Sequence, residues 1–167
     1  DLIAAVQRRI VSVLHIPVHI DSIEDGVWTK VDSYSLVQAI TFLASRLIDE
    51  FEVRNLALRV ASSERRVQFD LIWQGRAMST ETVMNWELEG IRVGSEASPL
   101  TVRDVIDRHD GEIWLEREKV RHRAFFRILL PQATPHAAPL LPNGVTLRGE
   151  SRPEYFDFDL FKWSESE

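Results

Sequence analysis

The sequence has 167 residues, of which 44% are hydrophobic and 28% charged, and both values are typical of a soluble, single-domain globular protein. The net charge of −6 gives no basic surface of the kind that binds nucleic acids, so we expect no nucleic-acid partner. The lack of cysteine excludes disulfides and thiolate metal sites, and no stretch has the pattern of a signal peptide or membrane span.

The first segment of the chain has a helical pattern. Apolar residues recur at helical spacing over residues 2–14, and Pro17 then breaks the pattern. Residues 16–20 alternate in polarity and predict a short strand, a turn follows over residues 21–26, and residues 27–31 predict a second short strand. Because the chain begins inside a predicted helix without an initiator Met, we interpret it as part of a longer protein.

Residues 32–51 contain the strongest pattern in the chain. Their apolar stripe follows a 3.6-residue period and is formed by Leu36, Ile40, Leu43 and Leu47. Asp32 is placed to cap the first turn, because its carboxylate can accept a free backbone N–H. The segment therefore predicts a long helix packed on a core. Its few polar positions are Gln38, Thr41 and Ser45, and the function of the helix depends on what these three side chains bind.

The following segments alternate between strand and helix patterns. Residues 55–61 and 67–73 predict a hairpin, and Ser79 is the expected cap of a short helix that ends near Leu88. We expect a loop over residues 89–96. The Ser98-Pro99 pair predicts the start of a helix that runs to Arg108, since proline fits the first helical position. Strands then follow at residues 112–116 and 124–130.

This order of elements predicts an α+β fold, specifically a two-layer α/β sandwich in which helices cover one face of a mixed sheet. The expected division is an N-terminal helix (1–15), the sandwich (16–131), a Pro/Gly-rich linker (132–150) and an acidic aromatic tail (151–167). Because the tail is hydrophobic, we expect it to be buried against a partner or against the sandwich itself.

Three stretches resemble the ATP-binding domain of histidine kinases, within the GHKL superfamily and its Bergerat-type fold. The helix over residues 31–46 is similar to the family's D-x-x-x-L-x-Q pattern through Asp32, Leu36 and Gln38. Gly75 matches the first glycine of the family's D-x-G-x-G loop. Residues 105–131 are similar to the family's closing I-V-x-x-H-G-G-x-I pattern and the strand after it. The resemblance covers roughly residues 16–131.

The resemblance also shows where this chain departs from the family. Thr41 and Ser45 stand where the family has the asparagines that help hold Mg²⁺, and a hydroxyl is a poor substitute. Trp73 replaces the aspartate that accepts from the adenine amino group, and an indole N–H can only donate. The second glycine of the loop is Ala77. We expect the indole either to plug an adenine-sized pocket or to be an ordinary core residue.

The family's glycine-rich lid, whose backbone wraps the phosphates, falls near residues 94–100. Only Gly94 of its glycines remains, Glu96 would repel phosphate, and Pro99 lacks an N–H donor. The degenerate nucleotide pocket implied by the resemblance is therefore formed by Thr41, Ser45, Trp73, Gly75, Ala77 and Gly94.

Other polar residues have two interpretations each. His19, Asp21, Glu24 and Asp25 form either a mixed N and O metal site or a polar turn. His109 is either catalytic or, as the resemblance implies, a structural residue of its turn. We assign no catalytic residue and no metal ligand.

We interpret the chain as an inactive pseudokinase domain that acts as a regulatory, scaffolding or dimerisation module in a larger bacterial signalling or nuclease protein. We expect no cofactor; ATP and Mg²⁺ would bind only if the divergent pocket were functional. The expected partners are neighbouring domains and a second copy of the chain. This fragment is expected in the cytoplasm without membrane contact, although an inner-membrane anchor elsewhere in the parent is compatible.

Two alternatives remain open. The first is a genuine ATP-binding histidine kinase domain with divergent motifs. The second is an accessory domain of a membrane-anchored 3′–5′ exonuclease, because residues 152–159 are similar to the region that precedes such a domain in proteins related to the proofreading subunit of DNA polymerase III.

Overall fold

The computed structural model describes residues 1–133 as four helices and seven strands. The helices are α1 (Leu2–Leu14), α2 (Ser33–Phe51), α3 (Thr80–Leu88) and α4 (Val102–Arg108). The strands are β1 (Val18–Ile23), β2 (Leu56–Ser63), β3 (Arg66–Gln74), β4 (Gly90–Val93), β5 (Glu96–Thr101), β6 (Glu112–Glu118) and β7 (Arg123–Pro131). The predicted tail and all but the first two residues of the predicted linker lie outside the described residues.

The α2 helix forms the centre of the core, as its apolar stripe predicts. All four stripe residues are at most 1% exposed: Leu36, Ile40, Leu43 and Leu47. The Asp32 carboxylate accepts the backbone N–H of Ser35 at 3.4 Å, which confirms the predicted cap. The α1 helix packs into the same core through Ile3, Val6 and Ile10.

Five strands form a mixed sheet in the order β1-β2-β3-β7-β6, and β4 and β5 form a separate hairpin. The β1–β2 pair is parallel, with a register shift between Ile20 and Ser22, whereas the other pairs are antiparallel. Side chains alternate between two faces of each strand. On β3, for example, Phe69 and Leu71 face the helices and Asp70 faces away. The predicted two-layer sandwich, covered by helices on one face, is confirmed.

Two strand predictions near the start of the chain are wrong in extent. The strand predicted over residues 16–20 begins only at Val18 and continues to Ile23, through the predicted turn, because it pairs with β2 as far as Val60. The strand predicted over residues 27–31 is reduced to one bridge between Thr29 and Gln132. Residue 131, at the end of β7, is a proline and has no N–H with which to extend that ladder.

The face of the sheet without helices carries a network of ion pairs. Arg123 binds Glu118 at 2.8 Å and Asp21 at 3.1 Å, and Arg59 bridges the same two carboxylates and Asp70. The hydrogen bond from Arg123 lowers the pKa of the Asp21 carboxyl and also that of the Glu118 carboxyl. The network therefore joins β1, β2, β3, β6 and β7 across the width of the sheet.

Acid should weaken this network. Carboxyls whose pKa is lowered in the folded state stabilise the protein above their ordinary pKa of about 4, and this stability is lost as the pH falls further. We therefore expect the free energy of unfolding, from urea titrations, to fall below about pH 4. Arg123→Met should flatten this dependence, whereas Arg54→Met, at an exposed site, should not. Equal slopes for both variants would contradict the assignment.

Gly111 follows α4 in the turn that leads into β6. A Cβ at this position would lie 2.6 Å from the Leu129 carbonyl oxygen, because the turn packs against the backbone of β7. The left-handed backbone of the turn is instead adopted by Asp110, with φ of 55°.

Gly111→Ala should therefore destabilise the fold by steric overlap, by about 1–3 kcal/mol in urea denaturation. The matched control is Gly90→Ala, since a Cβ there meets nothing within 4 Å. Equal losses of unfolding free energy in the two variants would contradict the proposed steric overlap with β7.

Candidate functional site

The polar residues that α2 presents toward the suspected pocket form bonds within the helix. Thr41 is fully buried, and its Oγ1 donates to the Val37 carbonyl at 2.7 Å. Ser45 is partly buried, and its Oγ donates to the Phe42 carbonyl at 2.7 Å. Mg²⁺ prefers carboxylate and phosphate oxygens in octahedral geometry. These two hydroxyls, already bonded to helix carbonyls, do not match that donor set.

Trp73 lies at the end of β3 on the helix-covered face and is only 2% exposed. Its Nε1–H donates to the Arg76 carbonyl at 3.1 Å, so the polar atom of the ring is satisfied locally. Its ring centroid lies 5.3 Å from that of Phe126 on β7. The ring centroids of Phe126 and Trp86, which is on α3, are 6.2 Å apart. Those of Trp86 and Phe51, at the end of α2, are 5.9 Å apart. This aromatic chain connects the sheet, α3 and α2.

The loop after β3 brings Gly75 and Ala77 close to the indole. Gly75 has a φ of 137°, which favours glycine, and a Cβ added there would lie 3.8 Å from the Trp73 ring. Ala77 is partly buried and packs against the core. Trp73, Gly75 and Ala77 therefore lie close together at the end of β3 and in the loop after it.

The segment that corresponds to the family's lid forms the turn and second strand of a hairpin whose first strand is packed on the core. The loop predicted over residues 89–96 is wrong, because residues 90–93 form β4 and pair with β5. Ile91 and Val93 are 2% and 7% exposed and belong to the core. Gly94 forms the exposed turn with φ of 60°. An ion pair between Arg9 and Glu96 connects β5 to α1. A second, between Arg46 and Glu89, connects the residue before β4 to α2.

The predicted helix start at Ser98-Pro99 is also wrong, because both residues belong to β5. The helix begins at Val102, where Thr101 and Asp104 form a reciprocal capping box with both bonds at 3.0 Å. Two reciprocal bonds satisfy two free donors, whereas a serine cap satisfies one. Ser98 Oγ instead accepts from the Leu100 N–H at 3.1 Å.

His109 has a structural role that its turn position suggested. Its Nε2 accepts the backbone N–H of Asp32 at 2.9 Å, so its Nδ1 carries the proton and donates to the Val105 carbonyl at 2.8 Å. The imidazole therefore joins the end of α4 to the start of α2. Sequence reasoning did not identify the partner, because the two residues are separated by 77 positions.

The residues considered as a metal site have other partners. Asp21 pairs with arginines, and Glu24 accepts the backbone N–H of Ser62, in β2, at 2.9 Å. The hydrogen bond from the Ser62 hydroxyl lowers the pKa of the Glu24 carboxyl. Within residues 1–133, no three His, Asp or Glu side chains are grouped to hold a metal ion.

A depression of about 230 Å³ lies at the end of the sheet where β1, β2, β3 and β7 come together, and Trp73 is one of its lining residues. Ala57 and Ile72 are among its apolar lining residues, and His19, Gln74 and Arg123 are among its polar ones. None of the helices formed by residues 1–133 is both long and apolar enough to span a membrane.

The similarities to known proteins are structural. No protein-family model matches the sequence, and no curated protein matches it. The nucleotide-free catalytic domain of histidine kinase ThkA has a TM-score of 0.55 at 14% identity, over 79% of this chain and 93% of that one. The histidine kinase domain of the E. coli osmosensor EnvZ has a TM-score of 0.55 at 14% identity, over 80% and 88%.

Full-length ShkA in complex with AMPPNP has a TM-score of 0.54 at 17% identity, over 84% of this chain and 32% of that one. Identities this low show the fold alone. The described part of the chain therefore has the mixed α/β fold of histidine kinase catalytic domains.

Proposed function

We propose that this domain no longer binds or hydrolyses ATP and serves as a regulatory, scaffolding or dimerisation module for neighbouring domains. The observation that carries the proposal is the burial of Trp73, whose ring is 2% exposed where the family resemblance places the adenine-binding aspartate. An indole has one donor and no acceptor, so it cannot accept from an adenine amino group. Its donor is also already bonded to Arg76.

Two further features support the proposal. The Thr41 hydroxyl, at a position that the resemblance assigns to Mg²⁺ binding, is buried and bonded to its own helix. The β4–β5 hairpin contributes Ile91 and Val93 to the core. A lid that wraps phosphates offers backbone N–H groups to them, whereas part of this segment pairs with β4, which Ile91 and Val93 anchor in the core.

One observation favours a genuine nucleotide-binding domain. ShkA, which shares the fold, was solved with AMPPNP. Under this second hypothesis, the indole would have to leave its position between Phe126 and the Arg76 carbonyl before a purine could enter. Losing a buried aromatic contact and a hydrogen bond makes that rearrangement costly.

We also propose that the domain acts within a larger cytoplasmic assembly, with neighbouring domains or a second copy of the chain as its partners. A role as the accessory domain of a 3′–5′ exonuclease is compatible with this proposal. Sequencing the parent beyond residue 167 tests the exonuclease hypothesis, because such a domain requires a strand with a D-x-E signature and further acidic residues that bind metal ions.

Adding ATP with Mg²⁺ should not raise the melting temperature of the protein. A ligand at ~100 times its Kd stabilises the folded state by about 2.7 kcal/mol, which shifts the melting temperature of a domain of this size by several degrees. ShkA is the positive control, since its structure contains AMPPNP. A clear shift in this chain, with bound nucleotide detected by calorimetry, would overturn the proposal.

Trp73→Ala should destabilise the protein by about 3–5 kcal/mol in urea denaturation and should not create ATP affinity. Trp73→Phe is the matched control, because it keeps an aromatic ring next to Phe126 and should lose much less stability. If Trp73→Ala left stability unchanged and gained ATP binding, the indole would be a removable plug in a working pocket.

A further inference from the structure

The outer edge of β1 combines an unpaired strand edge with exposed apolar side chains. β1 ends the sheet and pairs only with β2, so no strand within residues 1–133 covers its other side. Ile20 and Ile23 pair in register with Leu58 and Val60, which places them on the helix-covered face. They are nevertheless 39% and 45% exposed, whereas Val18 on the same strand is 6% exposed.

The opposite edge of the sheet is protected in a familiar way. Four of the seven residues of β6 are charged, and charges on an edge strand discourage pairing with another strand. β1 has one charged residue among six, and that residue, Asp21, is occupied by arginines. The β1 edge therefore lacks the charges that protect β6 and presents two apolar side chains beside it.

One segment of this chain has the pattern that such an edge would bind. In residues 155–161, Phe156, Phe158 and Leu160 alternate with Asp157 and Asp159. An extended strand with this sequence has one apolar face and one acidic face. The described residues use the same alternation in the strands that build the sheet.

The two faces of that segment match the two sides of the β1 edge. Its apolar side chains would lie on the helix-covered side, next to Ile20 and Ile23. Its aspartates would then lie on the helix-free side, where three arginines approach Asp21: Arg59, Arg121 and Arg123. Arg121 is the most exposed of the three, with 64% of its side chain accessible to solvent. Its Nη1 lies 3.6 Å from the Asp21 Oδ1. Arg121 is therefore the cation on this side that the aspartates would meet.

The chain is long enough to make this contact. Residue 133 donates its backbone N–H to the Trp28 carbonyl at 2.8 Å, in the connection that follows β1. Twenty-one residues separate it from Tyr155. Twenty-one residues reach at most about 70 Å, whereas β7 and β1 are three strand spacings apart, or about 14 Å. The segment can therefore reach the β1 edge of the same molecule.

We infer that residues 155–161 bind the outer edge of β1 as an added strand within the same molecule, with the phenylalanines covering Ile20 and Ile23. Backbone hydrogen bonds to the edge supply much of the affinity, and the alternating side chains supply the register. This contact goes beyond the proposed function, since it would fix the position of the residues after 161 relative to this domain.

Hydrogen–deuterium exchange on the full chain of 167 residues tests the inference. Amides of residues 155–161 and the outward amides of β1 should exchange at least ~10-fold more slowly than in the double variant Phe156→Ser with Phe158→Ser, because backbone pairing protects them from solvent. Ile20→Lys with Ile23→Lys should remove protection from residues 155–161. The control, Met84→Lys, replaces another exposed apolar residue, on α3, and should leave protection intact.

Three outcomes would overturn the inference. The first is exchange of residues 155–161 at the rate of an unstructured peptide in the unsubstituted chain. The second is β1 protection that the Phe156→Ser and Phe158→Ser changes leave unaltered, which would assign the edge to another occupant. The third is protection that rises with protein concentration together with a dimer in light scattering, which would make a second copy the donor of the strand.

Discussion

The fold depends on the burial of one face of α2 against the sheet. Leu36, Ile40, Leu43 and Leu47 are each at most 1% exposed. Burying a side chain of this kind contributes about 1.5–3 kcal/mol, so the four together contribute about 6–12 kcal/mol. That sum is comparable to the net stability of a whole domain, about 5–15 kcal/mol. The polar positions of the same helix are consequently constrained by packing as well as by function.

This constraint explains how the polar groups of α2 and β3 that face the core are satisfied. A buried polar group needs a hydrogen-bond partner. The Thr41 hydroxyl finds one in the Val37 carbonyl of its own helix, and the Trp73 N–H finds one in the Arg76 carbonyl. An asparagine amide at position 41 could not be satisfied by one helix carbonyl alone, since it has two donors and an acceptor. The hydroxyl and the indole N–H are thus both satisfied by carbonyls of the protein itself.

Features encoded by nearby residues could be predicted from the sequence. The Asp32 and Ser79 caps are confirmed, as is the β2–β3 hairpin, because each depends on a few adjacent residues. The start of α4 was mistaken because two local signals competed, and the capping box of Thr101 and Asp104 prevailed over Ser98-Pro99. The ion-pair network could not be predicted, since its members come from five strands and meet only in the folded sheet.

The apolar side chains on the two faces of the sheet are shielded from water in different ways. Helices cover the apolar side chains of one face. On the other face, Arg59 and Arg127 each lie 4.9 Å from the ring of Phe125 and pair with the nearly buried Asp70. The guanidinium groups shield the ring while Asp70 balances their charge. Ile20 and Ile23 lie on the other, helix-covered face, but at the β1 edge they remain 39% and 45% exposed, and this is where we propose that an additional strand binds.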